Sequence, residues 1–174
     1  MDKLASHSRE IADVKRREGG DTATNDPDDA GGRTQYGISE RAHPEVWADG
    51  VVTDAEATQV FRDQYMRETH IAEIPYPALR AQLFDWAVHS GPSIPIRALQ
   101  RLVGTKPDGV LGPRTLAAVT AQDPLALNNA LVQARVAFLE NLILKRPRNQ
   151  KYRRGWLRRA RSFTLSPNLP GVSA

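Results

Sequence analysis

Glu18 ends a helical pattern and stands directly before Gly19-Gly20. Leu4, Ile11, Val14 and Glu18 recur at spacings of seven, three and four, the stripe of one helix face. The carboxylate therefore shares a side with apolar residues and points toward the body of the protein. At a helix C-terminus it also faces the negative end of the macrodipole, which disfavours the ionised form. A carboxyl that keeps its proton near neutrality is what a general acid needs to protonate a glycosidic oxygen. The plainer alternatives are a helix-end glutamate reaching to water, or one paired with Arg33 or an arginine of the C-terminal tail.

The segment that follows reads Asn25-Asp26-Pro27-Asp28-Asp29-Ala30-Gly31-Gly32-Arg33-Thr34-Gln35-Tyr36-Gly37-Ile38. Glycoside cleavage needs a second polar group across the sugar from the acid, to position water or to support positive charge. Asp26, Asp28 and Thr34 are the candidates. The paired glycines, Gly32 among them, let backbone approach a sugar closely. Tyr36 and Tyr65 have the right character to stack on or hydrogen-bond sugars, and equally the character of core tyrosines. A calcium loop is disfavoured: counting from Asp26, Ala30 falls at position five and Gly37 where a bidentate Glu belongs. His7, His43, His70 and His89 show no metal-ligand spacing, no Gly-x-Ser-x-Gly elbow occurs, and no phosphate-cradling glycine loop is present. No metal and no organic cofactor are expected. Asp85 lies beside an apolar stripe and reads equally as a buried structural acid or as a sugar contact.

The elements that must hold these residues are helical. Gly19-Gly20 stops the first helix, and the long Asp21–Gly37 stretch has room for a small β-hairpin. Thr53-Asp54-Ala55-Glu56 is a capping box opening a helix that carries Ala57, Val60, Phe61 and Tyr65 inward. Pro75 and Pro77 precede a helix with Leu79, Leu83, Trp86 and Ala87 on one side, stopped at Ser90-Gly91-Pro92. A short helix over Ile96, Leu99, Leu102 and Val103 turns at Asp108-Gly109, and Pro113 opens another with Leu116 and Val119 inside. Asp123 caps a long helix whose stripe runs Leu127, Leu131, Ala134, Phe138, Leu142. The expected class is all-α with that one hairpin.

Composition bounds the remaining possibilities. The 174 residues suit about one domain's length of chain, and the absence of cysteine excludes disulfide frameworks, thiol catalysis and zinc ribbons. No apolar run exceeds four residues, so no membrane span is expected, and the first eighteen residues lack the pattern of a signal peptide. The expectation is a soluble chain made in the cytoplasm. Nine basic residues and no acid fall between Lys145 and Arg161, leaving fifteen basic against twenty acidic residues, a net of −5, in positions 1–144. Such a tail suggests an anionic partner: nucleic acid, anionic lipid or an acidic envelope polymer.

Glu18-Gly19-Gly20 followed by Asn25-Asp26-Pro27-x-Asp29-x-Gly31-Gly32-x-Thr34-x-Tyr36-Gly37-Ile38 resembles the opening of glycoside hydrolase family 108, the N-acetylmuramidases of phage endolysins and secretion-associated lysozymes. The likeness continues through Asp54-Ala55-Glu56-Ala57, Tyr65 and Phe84-Asp85-Trp86-Ala87-Val88-His89-Ser90-Gly91. Leu99-Gln100, Asp108-Gly109-Val110-Leu111-Gly112-Pro113, Thr115-Leu116-Ala117-Ala118 and Gly155-Trp156-Leu157-x-Arg159 are similar to the peptidoglycan-binding region that accompanies the catalytic part. The resemblance implies a lysozyme-like helical fold, a catalytic region over 1–91 and a peptidoglycan-binding region over 92–174, packed as one compact unit. It implies Glu18 as the acid, with Asp28 and Thr34 next. Asp26, Gly32, Tyr36, Tyr65, Asp85, His89 and Ser90 follow as substrate contacts. Two positions depart from the pattern: His89 stands where the family has Asn, and Met66 where it has Trp. The implied activity is hydrolysis of the β-1,4 bond between N-acetylmuramic acid and N-acetylglucosamine by a monomer acting on the periplasmic wall, without nucleic acid. The rivals are a non-catalytic peptidoglycan-binding protein, a host muramidase opening the wall for secretion, and a helical DNA-binding protein.

Overall fold

The computed structural model describes residues 7–25 and 32–166. Leu4, Asp26 and Asp28 lie outside the described residues. The chain divides into two units, Met1–Ala72 and Glu73–Ala174.

In the first unit, α1 (Ser8–Arg17) buries Ile11 and Val14. Glu18 is its C-cap: the Glu18 amide donates to Val14 O at 3.0 Å and the Gly20 amide to Lys15 O at 3.0 Å. With Gly19 at φ +99°, this is the glycine-terminated Schellman ending anticipated from the Gly-Gly pair. Three short strands follow, β1 (Thr24–Asn25), β2 (Arg33–Gln35) and β3 (Ile38–Ser39), antiparallel in the order β1-β2-β3. The expected hairpin thus gains a third strand beyond Gly37. Gln35 pairs with Ile38, so Tyr36 and Gly37 form a two-residue loop, both with positive φ (53° and 80°), the signature of a type I′ turn.

The Thr53 hydroxyl accepts from the Glu56 amide, and the Glu56 carboxylate accepts from the Thr53 amide at 2.8 Å. That capping box opens α2 (Asp54–Val60) where expected. α2 then runs into a π-helix, Phe61–Arg67, closed by the Glu68 amide on Asp63 O. The sequence pattern reads as one continuous helix here. A π-turn replaces it, and such turns concentrate at functional sites. Phe61 and Met66 are fully buried, so Met66 at the departing position is a core residue.

The regular elements described in the second unit are all helices. α3 (Pro77–Ser90) ends on Gly91 at φ +79° as its stop signal requires. α4 (Ser93–Leu102) and α5 (Pro113–Thr120) follow, and then α6 (Pro124–Lys145), capped by Asp123 on the Ala126 amide at 2.6 Å. A 3-10 turn, Pro147–Tyr152, leads into α7 (Arg153–Arg161). α6 packs against α3, α4 and α7. Its buried face is Leu127, Asn128, Leu131, Val132, Arg135, Leu139 and Ile143, while Ala134, Phe138 and Leu142 are only half-buried. The expected stripe is therefore rotated by about one position, because Arg135 turns inward to meet an acid. Leu102, expected inside, is 39% exposed, and Leu116 is half-buried. No helix among the described residues is long and apolar enough to cross a membrane.

Candidate active site

Glu18 is half-buried at the α1 C-terminus, and the Tyr36-Gly37 turn lies directly against it. The Tyr36 amide donates to Gly20 O at 3.0 Å, fastening the hairpin to the Gly-Gly segment. The approach is so close that a Cβ on Gly37 would sit 2.8 Å from Glu18 Cβ and 2.9 Å from Cγ. Only glycine fits there, on contact and on φ alike. Tyr65, on the π-helix, faces the same carboxylate: burial first, and then the charge of Glu18, push its phenol pKa up. The Tyr65 ring rests on Phe61 with centroids 5.7 Å apart. An acid, a close-approaching backbone and a phenol thus meet on three elements.

Two residues of β2 hold the hairpin in place. Gln35 donates to Asp21 O at 2.9 Å and accepts from the Val52 amide at 3.0 Å. Arg33 makes a two-pronged ion pair with Glu40 (2.9 and 2.7 Å) and lies over the Trp47 ring at 4.9 Å. This commits Arg33 to Glu40 and removes it as the expected alternative partner of Glu18. Thr34 lies between them on the opposite strand face, across from Thr24 and Ser39. The residue is half-buried, and its hydroxyl donates to Gly32 O at 3.5 Å on the exposed side. Gly32 takes φ +73° just before the start of β2.

Tyr36 is held at φ +53°, a costly conformation for a non-glycine residue and one that clusters at functional sites. Burial, then the charges of Asp54 and Asp21, push its phenol pKa up, and Lys15 Nζ lies 5.7 Å from its ring centroid. Sequence reasoning missed Lys15. It is 8% exposed, with Nζ 2.6 Å from Asp54 Oδ1 and 2.8 Å from Thr58 Oγ1. The available signal was its position one residue after Val14, on the shoulder of the apolar stripe.

Asp85, His89 and Ser90 all lie on α3 in the second unit. Asp85 is 1% exposed. Arg135 Nη2 is 2.8 Å from Oδ2, and Arg159 donates through Nε at 3.0 Å and through Nη2 at 3.0 Å. Burial raises the Asp85 carboxyl, but the two guanidiniums, Arg135 foremost, outweigh it and leave the group below its usual value. A carboxylate enclosed in this way is a structural acid, which corrects its reading as a sugar contact. The His89 ring meets Trp156 edge-on at 5.5 Å. Burial, helped by Arg135 and Arg159, lowers its pKa to about 4. Ser90 is half-buried on the last turn of α3.

The basic tail is partly consumed by packing. Leu157 and Ala160 are buried beside Leu139, Trp156 stacks on Tyr152 at 5.4 Å, and Arg153 pairs with Glu140 at 2.7 Å. Asn128 and Asn129 bind Phe163 O and Leu165 O at 2.8 and 2.9 Å, tying the chain after α7 back to α6. Arg146, Arg148, Arg154, Arg158 and Arg161 stay exposed. Among the described residues no three His, Asp or Glu side chains gather as a metal site would require.

Two known family patterns match the chain. The glycosyl hydrolase 108 pattern matches residues 11–91, and a pattern described as a predicted peptidoglycan domain matches 94–161. Among solved structures, that of Brucella abortus SagA is similar over 95% of this chain and 99% of its own, with 29% identity and a TM-score of 0.68. No curated protein matches the chain. The chain is a glycoside hydrolase whose substrate is peptidoglycan, and its helical, lysozyme-like architecture is the one the resemblance implies. The hydrolase region includes α3, whereas the packing of the chain places α3 in the second unit.

Proposed function

We propose that the chain is an endolysin-type N-acetylmuramidase and that Glu18 is its proton donor. The observation that carries this reading is the Glu18 side chain set against the Gly37 backbone and beside the Tyr65 phenol. Glu18 gives its proton to the oxygen of the β-1,4 bond between N-acetylmuramic acid and N-acetylglucosamine. The C1–O bond breaks, its electron pair goes to the leaving oxygen, and positive charge develops at C1. Water adds to C1 and its proton returns to the protein. Asp28 or Asp26, on the acidic loop, and Thr34, on β2, align that water or support the charge. Gly32, Tyr36, Tyr65, His89 and Ser90 are the proposed substrate contacts. Residues 1–91 form the catalytic region and 92–174 the wall-binding region.

The enzyme acts as a monomer, without nucleic acid, on the periplasmic wall after synthesis in the cytoplasm of a phage-infected host. Opening of the wall for secretion is the alternative role. The exposed arginines of the tail, with Leu144 79% and Tyr152 45% exposed beside them, support docking to an anionic envelope surface. Arg154, Arg158 and Arg161 replaced by Gln should weaken action on intact envelopes while sparing purified sacculi. Arg153 and Arg159 are unsuitable for that test, since they pair with Glu140 and Asp85.

The deciding experiment is a zymogram on purified sacculi with wild type and Glu18→Gln side by side, and reducing-end analysis of the products. Loss of roughly 10²–10⁴-fold in turnover by a folded Glu18→Gln variant, with muramic acid at the new reducing ends, supports the reading. Retained turnover, or glucosamine at the new reducing ends, overturns it.

A further inference from the structure

The motif Asp108-Gly109-Val110-Leu111-Gly112-Pro113 has no part in the chemistry above, yet it borders a cleft of the second unit. That cleft, about 700 Å³, opens between the Gly104–Asp108 segment and the start of α5, within the size range of ligand sites. Its frame is rigid. Gln100, 1% exposed, donates to Asp108 Oδ1 at 2.8 Å and Val110 O at 3.0 Å, and accepts from the Gly109 amide at 2.8 Å. Thr115, 4% exposed, closes the floor against Gln100 and Thr105. One buried glutamine therefore fixes both walls before any ligand arrives, which lowers the ordering cost of binding.

The charges at the rim are not balanced. Asp108 is the one acid lining the cleft; its carboxylate is held by Gln100 and the Val110 amide and also feels the Lys106 charge, so one positive charge remains in excess at the rim. Lys106 and Arg114 also line the cleft, and both are exposed. Between them lie apolar surfaces, Pro113 and a Val110 that is 63% exposed. No aromatic ring lines the cleft to stack on a sugar face. Two cations over a small aliphatic wall complement a short peptide with methyl side chains and a free carboxylate. The peptide stems of peptidoglycan, which end in alanine carboxylates, have that chemistry.

Resting on the peptidoglycan reading, we propose that this cleft holds the peptide stem rather than the glycan, with Lys106 and Arg114 gripping its terminal carboxylate. The unit then recognises the part of the polymer that the hydrolase chemistry does not touch.

The full chain is titrated calorimetrically with a synthetic stem pentapeptide and with its C-terminally amidated form. It is also sedimented with intact sacculi and with glycan strands freed of peptide by an amidase. The expected result is binding of the free acid, about tenfold weaker binding of the amide, and about tenfold weaker binding of the free acid by Lys106→Gln and by Arg114→Gln. Retention on peptide-free strands should fall as well. Both side chains are exposed, and a circular dichroism melt verifies that each variant is folded. Equal binding of acid and amide, or variants that bind like wild type, overturns the proposal while retention on sacculi leaves the peptidoglycan reading standing. Full retention on peptide-free strands assigns recognition to the glycan and likewise overturns it. A wild type that sediments with neither sacculi nor strands defeats both.

Discussion

Glu18 and Asp85 are both acids on the inward side of a helix, yet the two units treat them in opposite ways. Around Glu18 stand a glycine backbone, a phenol and a turn held in positive φ, and the side chain stays half-buried. Around Asp85 stand two guanidiniums within 3.0 Å, and the carboxylate is 1% exposed. An acid with full charge compensation is bound too well to exchange a proton at neutral pH. The difference lies in the partners, since the residue type and the helical placement are nearly the same.

The sharpest way to break this comparison is to remove Asp85. Asp85→Ala leaves Arg135 and Arg159 with uncompensated charge in the interior, and should cost about 3–5 kcal/mol of stability by denaturant titration. Turnover per folded molecule should be unchanged. If instead stability holds while turnover collapses, Asp85 belongs with Glu18 after all.

His89 tests the same region through pH. Its pKa in the fold is about 4, below the ordinary 6.5, so below pH 6.5 the unfolded chain takes up a proton that the folded chain does not. Stability is fully present above pH 6.5 and is lost as pH falls toward about 4, by about 3 kcal/mol. Asp85, with its depressed pKa, adds a second loss only at still lower pH. Urea midpoints measured from pH 7 to pH 4 should fall steadily in wild type, and His89→Gln should remove most of that slope. A flat wild-type profile contradicts the buried neutral ring.

Gly37→Ala probes the other carboxylate. A methyl would stand 2.8 Å from Glu18 Cβ at φ +80°, a strain of about 1–2 kcal/mol, and the acid must move to relieve it. Turnover should fall by at least tenfold, more than the stability loss explains. A fall in melting temperature alone would reduce Gly37 to a turn residue. The smallest effect is expected from Tyr65→Phe. Loss of one polar contact worth about 1 kcal/mol lowers kcat roughly fivefold, with KM little changed. Unaltered kcat would remove Tyr65 from the site.

Much of the frame was legible because its signals act over a few residues. The Thr53–Glu56 box, the Asp123 cap, and the glycine stops at Gly19-Gly20 and Gly91 all sit where short-range hydrogen bonding requires them. The π-turn over Phe61–Arg67 was not legible, since its side-chain pattern also suits an α-helix and only packing shifts the bonds by one residue. Arg135 was missed for a related reason. An arginine between Leu131 and Leu139 looks like a break in an apolar stripe, and its meaning depends on an aspartate on another helix. In sequence the tail is nine basic residues without an acid, suited to an anionic partner, yet Leu157, Ala160, Arg153 and Arg159 are spent on α6 and α3.

The amino-acid sequence by itself determined where helices begin and end, which positions need positive φ, and which residue types stand at the candidate site. Those properties arise from backbone sterics and from bonds that reach three or four positions. Tertiary structure alone decided that Asp85 is compensated, because the Arg159 that holds it lies 74 positions away. It also decided that Gly37 would meet Glu18, since that contact depends on the hairpin folding back onto the end of α1. Charge environment is a sum over neighbours in space, and neighbours in space are what a linear pattern does not contain.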